Sequence, residues 1–285
     1  GCRHPTVAMI HGVCVGGGLE IASQCDLRIC GASSRFGIPI NRLGLVVGYK
    51  AMEIAIRKAR EAGSSWVTVR NSRHFGMSGY YSMMALQHDM IGISMTNAGP
   101  RALPTFGSEP MLGTNPISLA APAGAEPAFV LDMATSTVAV GKILIASRLG
   151  TQIPPGWATD EAGNPTTDPK VAEGPMKLLP LGGTREQGSH KGYGLAVLVD
   201  ILCGVLSGQG FSAALSRGPA GHIFGAINIA SFQPVSEFKA QMDRMIRALR
   251  SSPKAPGQER RFFHRYHLVV QGRKKLDQFS SFAWL

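Results

Sequence analysis

The sequence lacks any apolar run close to the ~20 residues that a membrane-spanning helix needs. Its first residues, GCRHPTVAMIHG, also lack the charged start, the long apolar stretch and the small-residue cleavage site of a secretory signal. These absences predict a cytoplasmic protein that does not act at a membrane. The chain also begins without an initiator methionine, which is consistent with a fragment.

Cysteine is scarce and is not arranged in pairs. The five cysteines contain no CxxC motif, and their number is odd. Because no secretory signal points to an oxidising compartment, we expect reduced and mostly buried thiols. The sequence also has no histidine and carboxylate cluster at metal-ligand spacing and no serine-centred triad motif, so we predict no metal site.

Acidic residues are few compared with basic ones, 18 against 29, and the formal net charge is +11. Much of the excess lies late in the chain, in QERRFFHRYHLVVQGRKKL and in the helix before it. A nucleic-acid-binding protein would collect its cations along one recognisable module. We therefore expect no specific nucleic-acid partner.

Apolar residues make up 44% of the 285 residues, which is enough to bury one large core or two smaller ones. Helical and strand patterns alternate along the chain, and this predicts an α/β fold with a mixed sheet. We expect helices at 17–24, 51–62, 79–88, 136–148, 191–208 and 235–252. We expect strands at 6–15, 66–72, 90–97, 115–122, 128–134 and 222–230.

Two of the predicted helices carry expectations about burial. The segment 191–208, KGYGLAVLVDILCGVLSG, is apolar on nearly every face, which predicts a buried helix. The segment 235–252 is amphipathic, and its apolar side would carry Phe238, Met242, Met245 and Leu249. From Arg260 onward the sequence has aromatics and cations but no usable period, which predicts a non-globular tail.

The stretch HGVCVGGGLE, residues 11–20, has three consecutive glycines followed by a carboxylate. Glycines allow a backbone to approach a ligand closely, and a helix that begins there can direct N–H groups at an oxyanion. Residues 7–49 resemble the middle of the enoyl-CoA hydratase/isomerase (crotonase) family. The resemblance implies that Gly17 supplies an N–H to a thioester oxyanion hole and that Glu20 is an acid/base carboxylate.

Two departures argue against crotonase-type catalysis by this segment. The second catalytic glutamate of the family would follow Pro39, where the chain has Ile40. The strand and loop that supply the other oxyanion N–H precede this segment in the family and are absent here. We expect the glycine triplet to be structural or vestigial.

From about Lys50 the sequence changes character. The stretches GTNPISLAAPAG, FVLDMATSTVAVGKI, IPPGWATDEAGNPTTDP and HKGYGLAVLVDILCGVLSG occur in one order. They resemble the malate/L-lactate dehydrogenase family as far as about Gly257. The resemblance implies a non-Rossmann fold, NAD or NADP as cofactor, and interconversion of a small 2-hydroxy acid and its 2-oxo acid. It also implies a homodimer, provided that the interface lies outside the family's amino-terminal region.

His74 is the predicted proton carrier. It lies in NSRHFG, directly after a predicted strand. Hydride transfer at a carbinol carbon requires a group that exchanges the hydroxyl proton, and an imidazole titrates near neutral pH. Taken alone, a histidine after a strand is more often a structural residue, but the resemblance assigns the proton acceptor to this position.

The resemblance also implies a set of cofactor-binding positions, at which backbone and side chains bind the dinucleotide. They are Ala98, Gly113, Thr114, Asn115, Asp132, Met133, Ala134, Lys191 and Gly192. Asp132 could instead cap a helix that begins in ATSTVAVGK, and Lys191 could be a solvated turn residue. Arg217 is the candidate for the substrate carboxylate. His190 and His222 would be pocket neighbours without an assigned role.

The SHG-type histidine and the arginine that grip the substrate in this dehydrogenase family have no counterpart here. We therefore expect three segments: a crotonase-like fragment at 1–49, an NAD(P)-binding domain at 50–257 and an unrelated tail at 258–285. This arrangement predicts a chimera whose dehydrogenase activity is impaired. A CoA-thioester hydratase or isomerase and an inactive fusion are the alternatives.

Overall fold

The computed structural model describes residues 7–10, 13–15, 27–30, 35–37, 45–172, 174–215 and 219–257. These residues belong to two compact units, which divide after residue 43. The two units are described separately.

The described residues of the first unit form four short strands. They are β1 (Val7–Ile10), β2 (Val13–Val15), β3 (Leu27–Cys30) and β4 (Arg35–Gly37). β1 pairs with β3 and β2 pairs with β4, in both cases in parallel. The single strand predicted at 6–15 is therefore two strands with different partners. The helix predicted at 17–24, together with Gly17, Glu20 and Ile40, lies outside the described residues.

The second unit is built on a five-stranded sheet in the order β5, β11, β6, β7, β8. Its strands are β5 (Ser64–Ser72), β6 (Met90–Thr96), β7 (Ile117–Ala121), β8 (Phe129–Met133) and β11 (Ala220–Asn228). A small hairpin contains β9 (Ala158–Thr159) and β10 (Pro165–Thr166). The helices are α1 (Leu45–Ala62), α2 (Ser78–Met84), α3 (Val140–Leu149), α4 (Ser189–Val199) and α5 (Val235–Ser251).

All neighbours in the five-stranded sheet are antiparallel. The predicted α/β class is confirmed, and the parallel pairs lie in the first unit. Among the strands that the structure describes, β11 comes last in sequence, yet it pairs with both β5 and β6. A register shift between Ala220 and His222 marks a bulge, after which His222 lies opposite both Val69 and Thr96.

Helix α1 forms where the sequence places apolar side chains at helical spacing. Ala51, Ala55 and Ala59 lie at intervals of four, and all three are buried in one cluster with Met52. Gly63 ends the helix with φ +81°, a conformation that a glycine adopts without steric cost. The predicted helix at 51–62 is therefore confirmed, and it begins about two turns earlier than its apolar pattern indicated.

The prediction that segment 191–208 is buried on every face is wrong. α4 continues as a π-helical segment, Asp200–Val205, and large apolar side chains lie exposed along both: Tyr193, Leu198, Ile201, Val205 and Leu206. The buried face instead carries Gly192, Ala196, Val199 and Cys203. Asp200 and Gly204 are buried as well, so the inward side of the segment is made mostly of small residues. Among the described residues, no helix has the length and apolar character needed to cross a membrane.

The apolar face predicted for 235–252 is also wrong in part. Met245 and Leu249 are 46% and 49% exposed, whereas Asp243 and Ile246 are buried. The Asp243 carboxylate accepts hydrogen bonds from the backbone N–H groups of residues 124, 125 and 126. These donors, that of Ala125 above all, lower the pKa of the Asp243 carboxyl below its usual value. Because three backbone N–H groups bind the Asp243 carboxylate, the side of α5 that faces inward differs from the one its apolar residues predicted.

We expect the Asp243→Asn variant to be less stable than the native chain at pH 7, because the amide cannot accept all three N–H groups. A lowered pKa adds stability above the unfolded pKa and loses it as the pH falls through the folded pKa. The difference in urea midpoint should therefore shrink as the pH falls from 5 toward 3. An equal difference at every pH would contradict this account.

Candidate functional site

His74 lies in the loop that follows β5, and its side chain is exposed. The backbone N–H of Gly76 donates a hydrogen bond of 3.1 Å to His74 Nδ1. While Nδ1 accepts this bond, the proton of the neutral ring lies on Nε2, the nitrogen on the other side of the ring. The predicted proton carrier is accessible and is held by its own loop.

The loop that carries His74 is anchored by aromatic rings. Phe75 is buried and stacks between Tyr81 and His222, with ring centroids 5.0 Å and 4.5 Å away. Tyr81 O–H donates a hydrogen bond of 2.6 Å to the Phe75 carbonyl. The sequence reasoning missed this stack, although it named His222 as a neighbour. The aromatic residues at 75, 80 and 81 were the available signal.

Asp132 is half-buried on β8, and its Oδ2 accepts a hydrogen bond of 2.6 Å from the Gly79 N–H. Burial raises the pKa of the Asp132 carboxyl, and the Gly79 N–H lowers it in part. The carboxylate therefore supports the N-terminus of α2. The sequence offered Asp132 as a possible cap of the helix that follows it. It does accept an N–H from the first turn of a helix, but that helix is α2, whereas α3 begins after Ala139 without a side-chain cap.

We expect Asp132→Ala to lower the free energy of unfolding by about 1.5–3 kcal/mol, the usual worth of a hydrogen bond to a charged group. Asp132→Asn keeps an acceptor oxygen for Gly79 and should lose less. Urea unfolding at pH 7 measures both variants. Equal losses in the two would show that the bond to Gly79 is not the source.

Three other predicted cofactor positions lie together where β6 ends. Asn115 is buried, and its Oδ1 accepts a hydrogen bond of 3.0 Å from the Ala98 N–H. Its Nδ2 donates to the Ala196 carbonyl of α4 at 3.0 Å. Gly113 packs so closely that a Cβ there would lie 2.4 Å from the Ala98 carbonyl oxygen. Asn115 thus joins the loop after β6 to α4.

The remaining predicted cofactor positions are connected through Thr135, which follows Met133 and Ala134 at the end of β8. Thr135 N–H donates to the Thr114 carbonyl at 2.9 Å, and Leu181 N–H donates to the Thr135 carbonyl at 2.8 Å. Gly192 packs against Leu181, where a Cβ would lie 2.3 Å from the carbonyl oxygen. One hydrogen-bonded backbone network therefore connects the loops after β6 and β8 to the start of α4.

The N-terminal turn of α4 carries donors and cations. Its N-cap, Gly188, has φ +97° and provides no side-chain cap. Lys191 is exposed in the first turn, and the Arg185 guanidinium lies 3.0 Å from His190 Nδ1. The N–H groups of Ser189 and Lys191 already donate to backbone carbonyls, so the side-chain cations of Lys191 and Arg185 are the groups here that suit the pyrophosphate of a dinucleotide. The donor set therefore fits NAD or NADP, and Lys191 lies in a helix, not in a turn.

Two cavities lie beside α4. One, of about 350 Å³, has apolar walls and the Asp200 carboxylate. The other, of about 340 Å³, lies between Phe106, Thr159, Arg185 and Ser189. Of the predicted site residues that the structure describes, none lines either cavity. Arg217 lies outside the described residues. Within the described ranges, no group of three or more His, Cys, Asp or Glu side chains is placed to hold a metal ion.

Two family profiles match the chain. The profile described as malate/L-lactate dehydrogenase matches residues 40–266, which is most of the chain. The chain belongs to the malate/L-lactate dehydrogenase family. The profile described as enoyl-CoA hydratase/isomerase matches residues 1–71 and overlaps the first match. Both resemblances predicted from the sequence are confirmed.

Members of the dehydrogenase family are similar to this chain over about two thirds of their length. The malate dehydrogenase of Pyrococcus abyssi is 48% identical over 241 residues, covering 82% of this chain and 66% of that protein. The L-sulfolactate dehydrogenase of Methanocaldococcus jannaschii is 44% identical over 249 residues, covering 84% of this chain and 70% of that protein.

The structural comparison agrees with the sequence comparison. The solved malate dehydrogenase from Entamoeba histolytica superposes with a TM-score of 0.72 at 38% identity, covering 75% of this chain and 63% of that chain. The dehydrogenase fold predicted from the sequence is thus confirmed.

Proposed function

We propose that the chain is an NAD(P)-dependent dehydrogenase that interconverts a small 2-hydroxy acid and its 2-oxo acid. One observation carries the proposal. The Asp132 carboxylate on β8 accepts the Gly79 N–H at 2.6 Å, five residues after His74. This bond joins the segment of the predicted proton carrier to the strand that leads into the predicted cofactor positions Met133 and Ala134.

The chemistry divides between the cofactor and the chain. When bound, the nicotinamide supplies the hydride acceptor or donor. During reduction the His74 imidazolium gives a proton from Nε2 to the oxo oxygen. During oxidation the neutral ring, with its proton on Nδ1 and the bond from the Gly76 N–H released, takes the hydroxyl proton at Nε2. Lys191 would hold the pyrophosphate through its side-chain cation. The joined backbone of Ala98, Gly113 and Thr114 keeps the wall of the cofactor site rigid. Arg217 binds the substrate carboxylate.

Cofactor titration tests the proposal directly. Addition of NADH or NADPH is expected to quench tryptophan emission and to enhance nicotinamide emission at micromolar to low millimolar concentration. Lys191→Ala should weaken this binding, whereas Lys58→Ala, on the exposed side of α1, should not. The nucleotide that binds with the lower Kd identifies the cofactor. No response to either nucleotide at millimolar concentration would overturn the proposal.

The assembly and the segment organisation are part of the same proposal. A homodimer is proposed from the family resemblance, and sedimentation velocity would test it. The proposed boundary near residue 49 falls within α1, so a low dose of protease is expected to cut preferentially just ahead of that helix, where the units divide after residue 43, and near residue 257. Cleavage spread evenly along the chain would contradict that division.

A second function has one observation in its favour, the enoyl-CoA hydratase/isomerase match at residues 1–71. A hydratase would remove the enoyl absorbance of crotonyl-CoA. Ile40, at the position of the second catalytic glutamate, argues against this activity. Absorbance loss without added nucleotide would favour the hydratase. Inertness in both the crotonyl-CoA and the nucleotide assays would favour an inactive fusion.

A further inference from the structure

A buried histidine lies beside the segment of the predicted proton carrier. His222, on β11, is 0% exposed, and its ring lies 4.5 Å from that of Phe75 at an interplanar angle of 7°. Phe75 directly follows His74. On the other side of Phe75, the Tyr81 ring lies 5.0 Å away at 19°. Three elements of the fold, the β5 loop, α2 and β11, thus meet in one stack of rings.

Both outer rings of the stack are fixed in place. Tyr81 O–H donates to the Phe75 carbonyl at 2.6 Å, which ties the loop backbone as well as the ring. His222 Nδ1 lies 2.7 Å from Thr96 Oγ1 on the neighbouring strand β6. Phe75 is therefore packed on both faces by rings that are themselves hydrogen-bonded.

The surroundings of Thr96 define the tautomer of His222. The Thr96 hydroxyl lies 3.0 Å from the Asn97 carbonyl and 3.1 Å from the Gly221 carbonyl, and it donates its proton there. With the hydroxyl proton directed at these carbonyls, Thr96 Oγ1 accepts from His222 Nδ1, which then carries the ring proton. Nε2 is left as a lone pair that is buried and finds no hydrogen-bond partner among the described residues.

Burial lowers the pKa of His222 to about 4, so the ring is neutral near pH 7. His74 is close enough for its charge to lower that pKa further. A buried polar atom without a partner is uncommon in a folded protein, and its presence calls for an explanation. A neutral ring that is both stacked and hydrogen-bonded orients its neighbour more strictly than an aliphatic side chain would.

We propose that His222 is a positioning residue for His74. Its imidazole, anchored by Thr96 and stacked on Phe75, holds residues 73–77 in the geometry that proton transfer needs. This inference rests on the proposed function, because it takes His74 as the proton carrier. His222 itself does not exchange the proton.

Two substitutions separate the ring from its hydrogen bond. His222→Asn keeps a donor for Thr96 but removes the stacked ring. His222→Phe keeps a stacked ring but removes the donor. A misplacement of about 1 Å in a reacting group lowers turnover by about 100-fold. We expect His222→Asn to lower kcat by about 10- to 100-fold with KM within about threefold, and His222→Phe to lose much less.

The NMR signal of the His74 Cε1–H group gives a readout that does not depend on turnover. The signal is assigned by its loss in His74→Asn. We expect it to shift in His222→Asn and to move much less in His222→Phe. Ile143→Ala is the control, because Ile143 is fully buried in a different core cluster. This variant should lose stability and leave the His74 signal in place.

An unmoved His74 signal in His222→Asn, or an equal change in Ile143→Ala, would overturn the inference. If His222→Asn does not fold, Tyr81→Phe replaces it, since it keeps all three rings and removes the bond to the Phe75 carbonyl. The His74 signal is again expected to move, and its constancy overturns the inference. Full turnover in His74→Asn would instead show that His74 is not the proton carrier. That result would count against the proposed function and is distinguishable from both results that overturn the role of His222.

Discussion

The His74→Asn variant is expected to lower kcat by a factor of about 10²–10⁴, the usual contribution of a positioned general acid or base. Asparagine is close to histidine in shape and can still make a hydrogen bond to the substrate oxygen. It cannot take up or release a proton near pH 7. The loss should therefore fall on kcat, and KM for the 2-hydroxy acid should change little.

Steady-state oxidation of malate with NAD or NADP measures the effect on turnover. His88→Asn is the matched control, because His88 is exposed and its Nδ1 lies 2.9 Å from the Arg60 guanidinium, away from the segment of His74. That variant should keep native kcat. A loss of less than about tenfold in His74→Asn would show that another group moves the proton.

The Gly192→Ala variant is expected to lower the free energy of unfolding by more than about 4 kcal/mol, a loss seen only when a well-defined structural feature is broken. A Cβ at Gly192 would lie 2.3 Å from the Leu181 carbonyl oxygen and 2.4 Å from its nitrogen. Both are backbone atoms, so the loop and α4 would have to separate. That separation would also break the backbone network to Thr135 and weaken nucleotide binding.

Gly194 provides a control within the same helix, two residues further on. No heavy atom lies within 4 Å of a Cβ built there. Because alanine is the better helix former, Gly194→Ala should raise stability by about 0.5–1 kcal/mol. Urea unfolding of the two variants gives the comparison. Similar midpoints for both would mean that α4 and the Leu181 loop do not pack as described.

The sequence predicted best the elements whose pattern follows from local burial. The helix that ends at Gly63 and the strands at 66–72 and 90–97 were found within a few residues of their bounds, except for the start of α1. The segment 222–230 was also identified as a strand. In each case one face packs against the sheet or core, so apolar periodicity carries the information.

The misses have tertiary causes. Asp132 supports α2, which lies more than 40 residues before it in the chain, and no local pattern marks such a partner. Asp243 is buried because three backbone N–H groups come from a distant loop. The sequence of α4 does not show which of its apolar sides is exposed, because that depends on the elements that pack against it. Candidate site residues came from the family resemblance, whereas the ring stack beside His74 required coordinates.

The strand order has a consequence for biosynthesis. β11 fills the gap between β5 and β6, yet about 120 residues separate it from the end of β6. Until that late segment leaves the ribosome, two strands present unpaired edges that can join other nascent chains. Release of chains that stop before residue 220 is therefore expected to yield aggregates, and slow translation just ahead of β11 would prolong the vulnerable period.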